Sequence, residues 1–110
     1  MATLTATQID RNGATQSLAS AAAGGDEFAN TGDEIFVVAN GNGADPRTVT
    51  FAIEKEVDGV TPSGKAVTVA ASATMFIGPF PTEIYNDVDG KVQVTYSDSA
   101  ADLTVQVLRC

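Results

Sequence analysis

The sequence predicts an all-β protein, a single-domain β-sandwich or jelly-roll-like barrel preceded by a flexible N-terminal arm. The first observation behind this is composition. The chain carries 12 Val and 13 Thr in 110 residues, and branching at Cβ is easily accommodated on a pleated strand but crowds a helix. The second is spacing: short runs of alternating apolar and polar residues are separated by turn residues about every 8 to 12 positions, as in sandwiches. The third is that no segment sustains the 3.6-residue period of an amphipathic helix. A chain of this length makes one domain, able to bury roughly 65% of its unfolded surface without metal or disulfide. The apolar fraction of 44% includes 17 Ala, so the expected core is small, thinly filled and led by Val.

Residues 1–24 are expected as an N-terminal arm or an edge strand plus loop, and residues 25–110 as the sandwich. Leu4, Ala6 and Ile9 alternate with polar neighbours, the pattern of a short strand or extended arm. Arg11 to Gly25 is rich in Ser, Ala, Gly and Asn, too small-sided to anchor a core, and reads as a loop or mobile arm. Glu34 to Ala39 is almost continuously apolar, which predicts a strand covered on both faces. Asn40 to Pro46 is a turn, since Asn-Gly tolerates positive φ and Pro46 fixes the exit. Arg47 to Glu54 alternates, with Val49, Phe51 and Ile53 inward. After turns at Asp58-Gly59 and Thr61 to Gly64 come strands at Ala66 to Ala70 and Thr74 to Ile77. The second stops at Gly78-Pro79-Phe80-Pro81, where proline removes backbone donors. Thr82 to Asn86 fits one helical turn capped by Thr82. Asp87 to Gly90 turns the chain into Lys91 to Tyr96, with Val92, Val94 and Tyr96 on one face. After Ser97 to Ala101, a last strand at Asp102 to Leu108 puts Leu103, Val105 and Val107 together. Six or seven strands result.

The sequence narrows the chemistry. Six basic against 14 acidic residues give a net charge of −8, which repels polyphosphates and anionic lipid headgroups, so neither nucleic acid nor membrane is an expected partner. No run approaches the roughly 18 apolar residues of a membrane span. The N-terminus lacks a basic region followed by an apolar run, so a cytoplasmic product is expected. There is no His, and the single cysteine is Cys110, so the usual general base, thiol nucleophile, zinc ligands and intrachain disulfide are missing. The carboxylate pairs Asp26/Glu27, Asp33/Glu34 and Asp87/Asp89 suit acid–base work in principle. With no Trp and two Tyr there is little to line a cleft around them. Asp87-Val88-Asp89-Gly90 lacks the bidentate Glu of a calcium loop, and Gly41-Asn42-Gly43 is followed by Pro46 and a strand where a dinucleotide loop needs a helix. The expectation is a non-enzymatic structural or binding module with no metal, cofactor or catalytic residue.

The stretch Met75-Phe76-Ile77-Gly78-Pro79-Phe80-Pro81, with Tyr85, the Asp89-Gly90 turn, Lys91-Val92-Gln93-Val94-Thr95-Tyr96-Ser97 and finally Leu103-Thr104-Val105-Gln106-Val107-Leu108-Arg109, resembles small head decoration (cement) proteins of tailed bacteriophages. Gly25 to Phe28 leading into Ile35 to Gly41 fits the same pattern, so the likeness covers most of residues 25–109. The resemblance implies a protein made in the host cytoplasm that ends on the outer surface of the virion capsid. There it would bind the major capsid protein as a homotrimer and brace the shell against DNA pressure. Residues 2–24 are then the better candidates for capsid contact, through Leu4, Ile9 and Arg11. Phe80 is either a core plug, the favoured reading, or an interface anchor, and Tyr85 divides similarly. Two alternatives stay open. One is another virion component, such as a head fibre base, tail-tube or connector protein. The other is a free carbohydrate-binding module, disfavoured by the missing Trp.

Overall fold

The computed structural model describes residues 2–97 and 102–109. It is an all-β sandwich with one short helix. In chain order the elements are β1 (Ala2–Leu4), β2 (Thr7–Gln8), β3 (Ala19–Ser20), β4 (Asp26–Ala29), β5 (Glu34–Asn40), β6 (Arg47–Phe51), β7 (Lys65–Val69), β8 (Thr74–Ile77), α1 (Thr82–Tyr85), β9 (Lys91–Tyr96) and β10 (Leu103–Arg109). One sheet has the order β1-β4-β9-β6-β7. The other has β2-β10-β5-β8, with β3 also on β10. Most of the Ser97–Ala101 connection, from residue 98 on, lies outside the described residues, as do Met1 and Cys110.

The second sheet is built around β5 and β10, antiparallel over seven residue pairs from Leu103↔Asn40 to Arg109↔Glu34. Strand β5 is covered on both faces as its apolar run predicts: Phe36 and Val38 point inward, while Val37 on the opposite face is equally inaccessible. Leu103, Val105 and Val107 are buried together. In the first sheet, Val49 and Phe51 of β6 and Val92 and Val94 of β9 face the core, with Tyr96 half-buried beyond them. Ile53 lies past the end of β6 and is only half-buried.

The core is led in number by Val, as expected, but its volume is concentrated in aromatic rings. Its centre is a closed ring of four phenylalanines, in which Phe28 contacts Phe36 and Phe80, and Phe51 contacts the same two, at centroid separations of 4.8 to 5.8 Å. Large rings supply the volume that a sandwich interior about 10 Å thick requires. Phe80 is 3% exposed. Its service as an interface anchor is therefore corrected: the ring fills the core, and the prolines on either side steer the chain so that it can.

The N-terminal segment takes the edge-strand form. β1 runs parallel to β4 in the first sheet, and two residues later β2 runs parallel to β10 in the second, so the chain crosses from sheet to sheet at Thr5-Ala6. β3 returns antiparallel to β10. The small side chains of this segment do reach the core, because Ala21 is buried in it and donates its N–H to the Leu103 carbonyl. Two further points differ from expectation. Pro81, not Thr82, stands at the head of α1, with no side-chain cap bond. And β4, which the sequence suggested only as an approach, is a full strand pairing with β9.

Candidate interaction surfaces

The carboxylates are dispersed by strand geometry. Asp26 and Glu27 are consecutive on β4, so their side chains leave opposite faces of the sheet. Asp26 is fully buried and accepts bonds from the Tyr96 hydroxyl at 2.5 Å and the Ala22 N–H at 3.2 Å. Its Oδ1 has no partner among the described residues. Burial and this carboxylate push the Tyr96 hydroxyl far above the usual phenol range. Glu27, on the outer face, accepts bonds from Gln93, Lys91 and Thr3, and these hold it below the usual glutamate range.

Glu34 is fully buried while Asp33 is exposed. Burial alone would raise the Glu34 carboxyl, but the Thr31 N–H at 2.7 Å and the Arg109 guanidinium at 2.6 Å outweigh it and hold the group below its ordinary range. Asp87 is absorbed by its own turn, where Oδ1 accepts the N–H groups of Asp89 and Lys91 and Oδ2 accepts from Gln93. The first two pairs are each split between interior and surface, while Asp87 and Asp89 share one turn beside Lys91 with the Asp87 carboxylate already committed to backbone N–H groups and Gln93. Among the described residues no three metal-ligating side chains converge.

Two clamps fix the loops at either end. Asn30, buried, donates to the Phe80 carbonyl at 2.9 Å and the Asn86 side chain at 2.7 Å, and Asn86 answers by donating to the Asn30 carbonyl. This pair secures the Gly78 to Pro81 segment against β4. At the other end Asp102 accepts from Arg47 at 2.8 Å and from Asn42 at 3.3 Å, and both lower it from the usual aspartate range.

The five residues expected at a contact surface are scattered. Leu4 is half-buried and packs on the core from β1, and Tyr85 packs edge-on against Phe80 at 5.4 Å. Ile9 is half-buried, its N–H bonded to the Arg109 carbonyl. Arg11 is exposed in a turn closed by the Asp10 side chain. Phe80 is interior. Near Leu4, where the chain crosses between sheets, an open cleft of about 240 Å³ is lined by Thr3, Thr5, Thr7, Ser17, Gln106 and Val107, among others. No charged side chain lines it.

The surface features that sequence reasoning passed over are apolar. Phe76 on β8 is 64% exposed, and Val57 and Val60 are comparably exposed on a two-residue hairpin whose Asp58 and Gly59 both have positive φ. The alternation of β8 held the signal for Phe76, since Met75 and Ile77 pack inward and their middle neighbour must point out. The outer faces of the two sheets also contrast. The first carries Thr48, Thr50, Thr68 and Thr95 with the Glu27–Lys91–Gln93 network. The second carries Ile35, Val37, Phe76 and Leu108 with Thr74, Thr104 and Gln106, and no charge.

These features define an all-β sandwich with a charged and an uncharged face. No family model matches the chain, and neither do curated proteins or solved structures.

Proposed function

We propose that this chain is a capsid decoration protein, which binds the outside of a mature bacteriophage head as a homotrimer and stabilises the shell through the major capsid protein. The observation that carries the reading is the run from Met75 to Arg109, with its Gly-Pro-Phe-Pro element, Tyr85, the Val-rich strand ending Thr95-Tyr96-Ser97 and the terminal Leu103 to Arg109 strand. The packing of that run supports the reading. Phe80 and Tyr85 pack edge to face, Asn30 and Asn86 tie the segment to β4, and Arg109 closes β10 onto Glu34. The resembling residues thus form one scaffold, which leaves surface elements such as the Arg11 turn and the Val57–Val60 hairpin for contact. A ligand that binds only the assembled shell stabilises it by mass action, and many copies each adding a little suffice.

The test is co-sedimentation of the purified protein with expanded heads and, separately, with unexpanded proheads of the phage carrying this sequence. Saturable binding to expanded heads alone, in a ratio of trimers to lattice points, is the expected result. Absence of binding to either shell overturns the proposal and directs attention to tail or connector assemblies.

A further inference from the structure

We infer that Asn12 is a site of spontaneous covalent modification, at which the side-chain amide is lost through a cyclic imide with Gly13 and an aspartyl or isoaspartyl residue is left in the connection between β2 and β3. The inference concerns this chain alone and does not rest on the reading of it as a decoration protein.

The sequence holds three Asn-Gly steps, Asn12-Gly13, Asn40-Gly41 and Asn42-Gly43. Each is open to the same reaction, because glycine has no Cβ to hinder the approach of its own nitrogen. The glycine nitrogen gives up its proton and attacks Cγ of the preceding asparagine, forming an N–Cγ bond. The Cγ–Nδ2 bond breaks, and Nδ2 takes a proton from solvent and leaves as ammonia. Water then opens the ring, at Cγ to give aspartate or at the backbone carbonyl carbon to give isoaspartate. The fold decides which asparagine can bring its Cγ onto the next nitrogen.

Asn40 is locked. It is 3% exposed, and its Nδ2 donates to the carbonyls of Asp45, Val69 and Ala70 at 3.0, 3.2 and 3.4 Å. Its Oδ1 accepts the Asn42 N–H at 2.9 Å, and the would-be nucleophile, the Gly41 nitrogen, donates to the Asp102 carbonyl at 2.7 Å. Asn42 is pinned at both ends of its amide. Its Oδ1 accepts the N–H groups of Ala44 and Asp45 at 2.8 and 2.9 Å, and its Nδ2 donates to Asp102 Oδ2 at 3.3 Å. Each such bond forfeited on the way to the imide slows the step by up to about tenfold, so both asparagines are protected.

Asn12 has no such hold. It and Gly13 are exposed, and its side-chain amide has no hydrogen-bond partner among the described residues. Its backbone N–H donates to Asp10 Oδ1 at 2.9 Å, which shapes the turn without engaging the reacting amide. Gly13 has φ +85°, and a Cβ there would meet nothing within 4 Å, so the nucleophile stands in open space. The one bond to be opened is that from the Gly13 N–H to the Asp10 carbonyl at 3.0 Å, in a surface turn where water replaces it. The product adds a negative charge to the −8 of the encoded chain, beside Arg11.

Trypsin releases Asn12 to Arg47 as a single peptide, because no Lys or Arg lies between, so all three steps are read in the same fragment. Folded protein aged at mildly alkaline pH, with a parallel sample unfolded in guanidinium chloride, is digested at intervals, and fragmentation localises the mass gain of amide to acid. The three asparagines are expected to convert at similar rates in the unfolded chain, whereas in the folded protein Asn12 outpaces Asn40 and Asn42 by about tenfold or more. Asn12→Gln, whose longer side chain would have to close a larger ring, is expected to remove the acidic species that accumulates on ion exchange, with an unchanged circular dichroism spectrum. Equal rates at the three positions in the folded protein, or faster loss at Asn40 or Asn42, overturn the inference. So does an acidic species that persists in Asn12→Gln, or a folded protein that keeps Asn12 intact through the time in which the unfolded chain loses it.

Discussion

Among single residues, Glu34 is the most consequential for stability. Its carboxylate is fully buried, and the Thr31 N–H, the Thr31 hydroxyl and Arg109 satisfy it. Because its folded pKa lies below the unfolded value, its stabilisation is fully present above the ordinary glutamate value of about 4.3 and is lost as pH falls through the lowered folded value. Breaking a buried ion pair costs about 3–5 kcal/mol, and Arg109, partly exposed, recovers some of that in water. Glu34→Gln is therefore expected to cost about 2–3 kcal/mol at neutral pH, and to flatten the acid limb of a urea-midpoint against pH curve. An unchanged midpoint would mean that Arg109 contributes nothing through this contact. A second residue acts through its lack of a side chain. Gly25 sits at φ +99°, and a Cβ there would meet the Val94 carbonyl oxygen at 2.5 Å. Gly25→Ala combines left-handed strain with a backbone clash, and thermal denaturation should register a loss of about 2–4 kcal/mol.

At the scale of elements, legibility followed polarity. Strands β5, β6, β9 and β10 were readable because their central inward positions are Val, Leu or Phe in alternation or in continuous runs. β4 was not, because one of its two inward residues is Asp26, and a buried carboxylate reverses the polarity code that marks the inner face. Glu34, expected as the polar first residue of its strand, is interior because the Thr31 N–H and Arg109 satisfy its carboxylate. β3 is two residues long, too short for any period. The candidate contact residues fared similarly: alternation placed Leu4 but could not say that the N-terminal segment spans both sheets, since pairing with β4 and β10 depends on residues far away in sequence. That pairing has a measurable consequence. Deleting residues 2–8 uncovers the edges of β4 and β10 and removes Leu4 and Ala6 from the core margin. The expected cost is about 2–3 kcal/mol from the lost apolar burial, seen as a lower urea midpoint, with faster aggregation through the uncovered edges. A deletion variant as stable as the full chain would show that the strands add order without stability.

Over the whole molecule, net charge and topology act together. From β4 onward only β6 and β7 are consecutive neighbours in one sheet, and every other connection crosses to the opposite sheet. The fold thus holds distant, mostly acidic segments in a small volume. Lys91, Arg47 and Arg109 pair with Glu27, Asp102 and Glu34, yet the excess of −8 remains. Salt has opposed effects on this arrangement. It weakens the more exposed ion pairs, worth about 0–1 kcal/mol each, and hardly reaches the buried carboxylate of Glu34. It also screens repulsion among the unpaired carboxylates, which are too numerous for the paired cations to offset. Repulsion is the larger effect, so raising sodium chloride from about 0.02 to about 0.5 M should stabilise the fold by about 1 kcal/mol, a rise in Tm of roughly 4 °C or more. Self-association of the native state, as in the proposed homotrimer, would raise Tm as well, since binding of the native state stabilises it. The comparison therefore belongs at several protein concentrations. A rise that is the same at every protein concentration reports screening within one chain. A rise that grows with protein concentration assigns the effect to association. A fall would mean that the ion pairs outweigh the excess charge.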